Sequence, residues 1–439
     1  MLSQKKIGFW SVTSLVAGSQ IGSGIFLLPS SLAFFGAIGL LSWILTTTGA
    51  LLLALVFARL CAKIPKTGGP HAYIEAAFGR TIAFYSAWTY WVISWMSFTA
   101  VIIAVVGYLT PIFGNTDPIT NLFIEILILF CITLLNSFGV RAAGRVEFLF
   151  TVLKILPLII VPIAGIFFIK TEHFIPFNPT GNSALSAINA AALLTLWGFI
   201  GVESATTPAG SVSNPTKTIP RAIIFGTLIV SFVYIFNSFV IMGVMQPNVL
   251  LQSKAPFSDA AALIFGGNWS YIISLVASIV CLGTLNAWIL TSGQIALGAA
   301  SDRLFPKFFA RKNKKGAPIL SLITSSIGMI PLLILTLDAN LINQVNSIID
   351  ISVTAFLLVY LMSVLSYLKL FCNFRSVGTT TGRNALLIGI LALIFCGWAL
   401  WASGLKMISL GLLITLSGAP IYLWNRRSHE RDSLSEKVG

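Results

Sequence analysis

Gly22, Ser23 and Gly24 sit in the middle of the first long apolar run, Trp10–Phe34, and Pro29 follows closely. Glycine weakens a helix and proline breaks one. At membrane depth, non-helical backbone is tolerated only where protein covers it or where it lines a wet cavity. A break there frees N–H and C=O groups and leaves half-helix ends with partial charge. N–H groups near Ser23 and Gly24 then suit a carboxylate. Small residues also let helices pack closely, a second reading of the same triplet. A later run, LTLWGFIGVESATTPAG from Leu194 to Gly210, repeats the interruption with Gly198, Gly201 and Pro208, and adds an acid, Glu203. Its freed carbonyls suit an ammonium group, so the two breaks together match a zwitterionic amino acid. Trp197 offers a face that holds a cation for about 0.5–2 kcal/mol. It lies mid-span, where an interfacial anchor has no use.

Those residues need membrane helices to hold them. The chain has 439 residues, of which 56% are hydrophobic and 9% charged. That is too little charge for the surface of a soluble chain of this size. Apolar runs of about 20 residues, the length that crosses a hydrocarbon core as a helix, recur throughout. The expected architecture is an all-α polytopic membrane protein with twelve spans. They are Trp10–Phe34, Ala37–Cys61, Ile82–Pro111, Ile119–Phe138, Val146–Ile169, Ala187–Ala209, Ala222–Met245, Trp269–Ala299, Pro318–Leu337, Leu341–Leu370, Ala385–Ala402 and Met407–Trp424.

The net charge of +14 follows from loop asymmetry. With the N-terminus inside, one side collects Lys5, Lys6, Arg59, Lys63, Lys66, Arg80, Arg141, Arg145, Lys217, Arg221 and the run from Arg303 to Lys315. The other side keeps Lys170, Lys254 and Lys406. Basic residues resist translocation, so this places both termini in the cytoplasm without any nucleic-acid partner. The first run is too long for a signal peptide and lacks a small-residue cleavage site.

Spans one and six are both glycine-interrupted, five spans apart. Such pairing points to the binding site of an inverted-repeat transporter. The first repeat would cover residues 10–170 and the second 187–372. Two extra helices would lie in 385–424, with a cytoplasmic tail at 425–439. No HExxH, GxSxG or GxxxxGK[ST] occurs, so neither an enzyme, a metal centre nor an ATP-driven pump is expected, and no cofactor. The five cysteines show no paired or metal-ligand spacing.

GSGIFLLP in span one, WGFIGVES in span six, SNPTKTIPRAI after it, CLGTLNAW in span eight and LFPKFFARKNKKGAPI beyond it resemble the amino acid–polyamine–organocation superfamily. Within it, the resemblance is strongest to basic amino acid/polyamine antiporters of the arginine/agmatine type. It implies a LeuT-like 5+5 inverted repeat, alternating access, an amino acid or polyamine substrate, a cell (inner) membrane location and often a homodimer. The expected activity is exchange of a cationic amino acid for its amine or another amino acid. The alternative is a proton-coupled amino acid permease.

Residue by residue, the resemblance gives the substrate carboxylate to Ser23 and the backbone of Gly22 and Gly24. Trp197 would stack on the substrate cation and Trp288 would help to close the outer gate. Ser19, Ile200 and Ser352 match further pocket positions. Tyr90, Glu203 and Tyr360 match an inner gate in which the acid senses protons. Ser19, Gly198 and Phe98 depart from the arginine/agmatine pattern, which removes side-chain donors and acceptors from the pocket. Lys154 has two readings, a proton-coupling group, since buried lysines change protonation readily, or a side chain reaching out to the cytoplasmic face. Asp350 would pair with a substrate cation or with a basic residue.

Overall fold

The computed structural model describes residues 6–22, 24–114, 117–253, 255–335, 337, 342–371 and 380–426. Ser23 lies outside them, as does the side chain of Asp350, whose backbone is helical. Among the described residues the chain is all helix, with one isolated parallel bridge between Ile7 and Val212.

The helices are α1 (Phe9–Gln20), α2 (Gly24–Ala33), α3 (Gly39–Lys63), α4 (Pro70–Phe78), α5 (Arg80–Met96), α6 (Thr99–Phe113), α7 (Pro118–Ser137), α8 (Val140–Gly165), α9 (Ala184–Leu196), α10 (Pro215–Val244), α11 (Pro247–Gln252), α12 (Pro256–Phe265), α13 (Ser270–Ser301), α14 (Ile319–Leu335), α15 (Ile342–Phe371) and α16 (Thr380–Leu416). Local chemistry starts several of them. Pro118 opens α7, and Asp117 caps it by accepting from Thr120 N at 3.0 Å. Ser183 caps α9 through Ser186 N at 3.3 Å.

Nine helical stretches among the described residues are long and apolar enough to cross a membrane. One, Gly382–Arg426, is 45 residues long and takes in both expected spans eleven and twelve. Gly404, with φ 81° and ψ 157°, breaks it near the expected boundary. Expected span one is split between α1 and α2, and span nine is the 17-residue α14. Two expected starts move and one span is interrupted. Span five starts at Val140 and span seven at Pro215, because the helices run on past their hydrocarbon-matched stretch. Span three contains an interruption, since α5 ends at Met96 and α6 starts at Thr99.

The core is built around α1, which packs against α8, α10 and α13. Lipid-facing side chains such as Phe123 and Phe130 on α7 stay exposed, while the faces turned inward carry most of the buried polar residues. Serine and threonine hydroxyls there donate back to carbonyls one turn earlier, for example Thr46 to Ser42 O at 2.9 Å and Ser231 to Thr227 O at 2.8 Å. Such bonds satisfy donors that have no water to meet.

Candidate functional site

Both expected breaks are present, and they meet. α1 stops at Gln20, and Ile21 is extended at φ −76°, ψ 97° before α2 begins at Gly24. Four successive carbonyls are released, and each finds a side chain. Gly18 O accepts from Lys154 Nζ at 3.0 Å, and Ser19 O from Trp288 Nε1 at 3.0 Å. Gln20 O accepts from Tyr234 OH at 3.1 Å. Ile21 O accepts from Thr284 Oγ1 at 2.6 Å and Lys154 Nζ at 3.3 Å. The negative end of α1 thus carries a cation and three neutral donors, as a helix C-terminus favours.

α9 ends at Leu196, and the chain then runs through 3-10 turns at Trp197–Phe199, Ser204–Thr206 and Ala209–Ser211. Between the first two, Ile200 is extended and Gly201 sits at φ +107°. A Cβ on Gly201 would stand 2.7 Å from Ser19 Oγ and 3.1 Å from Trp288 Cζ2, so only glycine fits this backbone and this contact. Ser19 ties the breaks together. Its hydroxyl donates to Val16 O at 2.9 Å and lies 3.1 Å from Gly201 O and 2.9 Å from Ser204 Oγ.

Glu203 is completely buried beyond Gly201. Its carboxylate accepts from Tyr90 OH on α5 at 2.8 Å and from Tyr360 OH on α15 in a short hydrogen bond. Tyr360 OH also accepts from Gly201 N at 3.1 Å. Tyr90, Glu203 and Tyr360 therefore form one buried cluster linking three elements. Glu203 makes no capping bond, and the turn after it, Ser204–Thr206, is 3-10 rather than α-helical.

A cavity lies between the two breaks, lined by Ser19, Gln20, Gly22, Phe98, Val101, Trp197, Ile200 and Thr284. At about 10 Å³ it is scarcely large enough for one water. Phe98 fills it. Its ring stacks on Trp288 with centroids 4.4 Å apart and planes at 16°, and lies 6.3 Å from Trp197 at 20°. Trp197 is half-buried and reaches the cavity, with Cδ1 3.3 Å from where a Gly24 Cβ would be. Trp288 is wholly buried behind Phe98. Ser352 is buried on α15 and lies outside the lining formed by the described residues.

Lys154 is wholly buried and reaches the end of α1, which removes the outward-reaching reading. Glu147, one turn pair earlier on α8, faces it at 3.8 Å and is equally buried. Asn286 Nδ2 donates to the second Glu147 oxygen at 2.7 Å, and Asn136 Nδ2 donates to Asn286 Oδ1 at 3.1 Å. A polar chain thus runs from α7 through α13 and α8 to the break in α1.

Two residues of this centre escape the sequence reading. Glu147 shares a helix face with Lys154 at i, i+7, a spacing visible in the sequence. Gln20 lines the cavity at 4% exposure, and neither of its side-chain polar atoms has a hydrogen-bond partner among the described residues. Among the described residues no cluster of His, Cys, Asp and Glu could hold a metal ion.

A continuous site made by two interrupted helices in a multi-pass membrane bundle defines a membrane-transport protein. The chain matches the amino acid permease family over residues 7–414 and belongs to that family. It is 33% identical over 448 residues to the cadaverine/lysine antiporter of Escherichia coli (strain K12), covering 99% of this chain and 98% of that one. It is 31% identical over 424 residues to the putrescine transporter PotE of Haemophilus influenzae (strain ATCC 51907 / DSM 11121 / KW20 / Rd), covering 95% and 96%.

Proposed function

We propose that this protein is a secondary antiporter that exchanges a cationic amino acid for its amine or for another amino acid by alternating access. The observation that carries the reading is the pair of helix breaks at 21–24 and 197–203 facing one cavity. Membership of the amino acid permease family supports it, as do relatives named for lysine, cadaverine and putrescine. On this reading the architecture is twelve helices in a LeuT-like 5+5 inverted repeat. Residues 10–170 and 187–372 form the repeats, 385–424 holds two further helices, and both termini face the cytoplasm of the cell that carries the protein in its inner membrane.

The start of α2 at Gly24 offers backbone N–H groups to the substrate carboxylate, a role that Gly22 and Ser23 share on the family resemblance. Trp197 supplies an aromatic face for the substrate cation. Ile200 and Ser19 shape the pocket. Trp288 and Phe98 close it, and Ser352 on α15 is a further pocket position carried over from the family resemblance. Glu203 is held by two tyrosines, so its role is in gating and proton response rather than direct ion pairing with substrate. Tyr90 and Tyr360 are the gate's other half. Lys154 pins the released end of α1, and Asp350 is a further acid on α15 for coupling. The pinched cavity is an occluded state, and loading requires Phe98 to move from between the tryptophans.

The deciding experiment is uptake of labelled lysine, arginine, ornithine and a neutral amino acid into proteoliposomes, half preloaded with unlabelled amine or amino acid. The others are empty with an inward proton gradient. Uptake confined to loaded vesicles is expected. Gradient-driven uptake into empty vesicles would make the protein a symporter and overturn the exchange reading.

A further inference from the structure

The motif SNPTKTIPRAI lies away from the transport cavity, at the start of α10. Its electrostatics are unfavourable as they stand. Asn214 is the N-cap but its side chain makes no capping hydrogen bond, and the first turn holds no acid. It holds Lys217 instead, where the helix dipole disfavours a cation. Arg221 follows at i+4, a like-charged neighbour on the same face. Both side chains are exposed, and neither makes an ion pair or hydrogen bond among the described residues. Yet they are not simply spread on a surface. Together with Phe9, Asn214, Thr218 and Phe225 they line a cleft of about 470 Å³ between the starts of α1 and α10.

Exposed aromatic and apolar side chains surround the cleft. Trp10, 60% exposed, packs edge-on against Phe9 and Phe225 with centroids 5.2 and 6.1 Å away. Aromatic side chains of this kind favour the headgroup level. From Arg221 an exposed apolar face then runs down α10 through Phe225, Leu228, Phe232 and Phe239, at steps of three, four and seven residues. Arg221 to Phe232 spans roughly 16 Å at the α-helical rise, about half the thickness of a hydrocarbon core.

We propose that this cleft binds the phosphodiester headgroup of an anionic phospholipid, with its acyl chains lying along Phe225, Leu228 and Phe232. Lys217 and Arg221 clasp the phosphate, at the positive end of the α10 dipole. The anion offsets the repulsion between the two cations. A free phosphate satisfies only the charges, whereas a phospholipid also covers the apolar face.

The test uses the purified full-length protein in a zwitterionic detergent. Short-chain phosphatidylglycerol, phosphatidylcholine and inorganic phosphate are titrated separately while thermal unfolding is followed. Phosphatidylglycerol is expected to raise the unfolding midpoint in the wild type, and the other two are not. In Lys217→Gln/Arg221→Gln that increase should vanish. An equal increase from phosphatidylcholine, or an undiminished one from phosphatidylglycerol in the double variant, overturns the proposal. So does an equal increase from inorganic phosphate, which would mark a free-anion site. If the double variant does not fold, Lys217→Met, which keeps most of the apolar stem, is read by native mass spectrometry of co-purified lipid. Retention of phosphatidylglycerol should fall roughly five-fold for the lost charge, and unchanged retention sinks the idea.

Discussion

Lys154 Nζ lies 3.8 Å from the Glu147 carboxylate, and both side chains are wholly out of solvent. Neither charge is alone. Lys154 also holds Gly18 O and Ile21 O, and Glu147 holds Asn286 and Thr151. Gly18 belongs to the same arrangement, since a Cβ there would stand 1.8 Å from Glu147 Oε1. Removing one member of a buried pair leaves a bare charge and costs about 3–5 kcal/mol, whereas replacing both with apolar groups is often neutral. Glu147→Met is therefore expected to destabilise the protein strongly, and Glu147→Met/Lys154→Met to be more stable than it. Thermal unfolding of the two variants against wild type decides this, and simply additive losses would show that the pair is not coupled.

Gly201 and Gly397 make a contrasting pair. Gly201 has φ +107° and would place a Cβ against Ser19 and Trp288, whereas a Cβ on Gly397 in α16 meets nothing within 4 Å. Gly201→Ala is expected to cost about 1–3 kcal/mol from backbone strain alone, with transport lost as the two breaks are pushed apart. Gly397→Ala should be neutral or stabilise by up to about 1 kcal/mol. Equal melting temperatures for the two variants would sink this reading of the break.

Glu203 depends on the two tyrosines that donate to it. A hydrogen bond to a charged group contributes about 1.5–3 kcal/mol. Tyr360→Phe removes one such bond and also the acceptor for Gly201 N. Tyr90→Phe removes only a bond to the acid. Exchange rates should therefore fall further in Tyr360→Phe, by roughly ten-fold or more. Glu203→Gln should flatten the pH dependence of exchange. Retention of that dependence in Glu203→Gln would remove Glu203 from proton response.

The parts of this site that were legible in the sequence are those that violate a membrane rule. Gly22, Gly24, Gly198 and Gly201 interrupt apolar runs, and Glu203 puts an acid at membrane depth, where such residues are costly. Glu147 is costly in the same way, but it stands at the edge of the apolar stretch, where an acid is cheap. Only the extension of α8 back to Val140 draws it inside. The interruption at Ser97 and Phe98 has no glycine or proline to announce it. Phe98 is conspicuous only by its difference from a family pattern, and its stacking on Trp288 is a tertiary fact. Helix edges moved for a related reason. Hydropathy marks the hydrocarbon layer, whereas α10 starts at Pro215 because proline suits a first turn.

Asp302 lies just beyond α13, where His71 Nε2 approaches its carboxylate at 3.1 Å and Lys66 Nζ at 3.6 Å. Burial raises its pKa, but the His71 hydrogen bond and the charges of His71 and Lys66 outweigh this and hold it below the ordinary value. A depressed carboxyl contributes stability that is present above its unfolded value, about 3.9, and lost as the pH falls through the folded one. Lys66 is 58% exposed, so solvent screens its share and the gain is at most about 1 kcal/mol. Wild type should exceed Asp302→Asn in stability above about pH 5, and the gap should close below about pH 4. Parallel melting curves from pH 7 to pH 3 would show that Asp302 carries no such linkage.

Gln20 faces the opposite trade. Its carboxamide is buried in the cavity wall, and among the described residues neither Nε2 nor Oε1 is bonded. An unsatisfied buried polar group costs about 1–3 kcal/mol, and replacing it with an apolar group of similar shape removes that cost. Gln20→Leu is therefore expected to raise the unfolding midpoint of the substrate-free protein. If the carboxamide is held in reserve for a polar group of the substrate, the same change should shrink the stabilisation that a bound amino acid gives. It should also raise KM for lysine more than for norleucine, which has the same chain without the ammonium. A variant that is less stable than wild type would show that Gln20 is satisfied as it stands. Equal rises in KM for both amino acids would place its contact at the shared backbone end of the substrate.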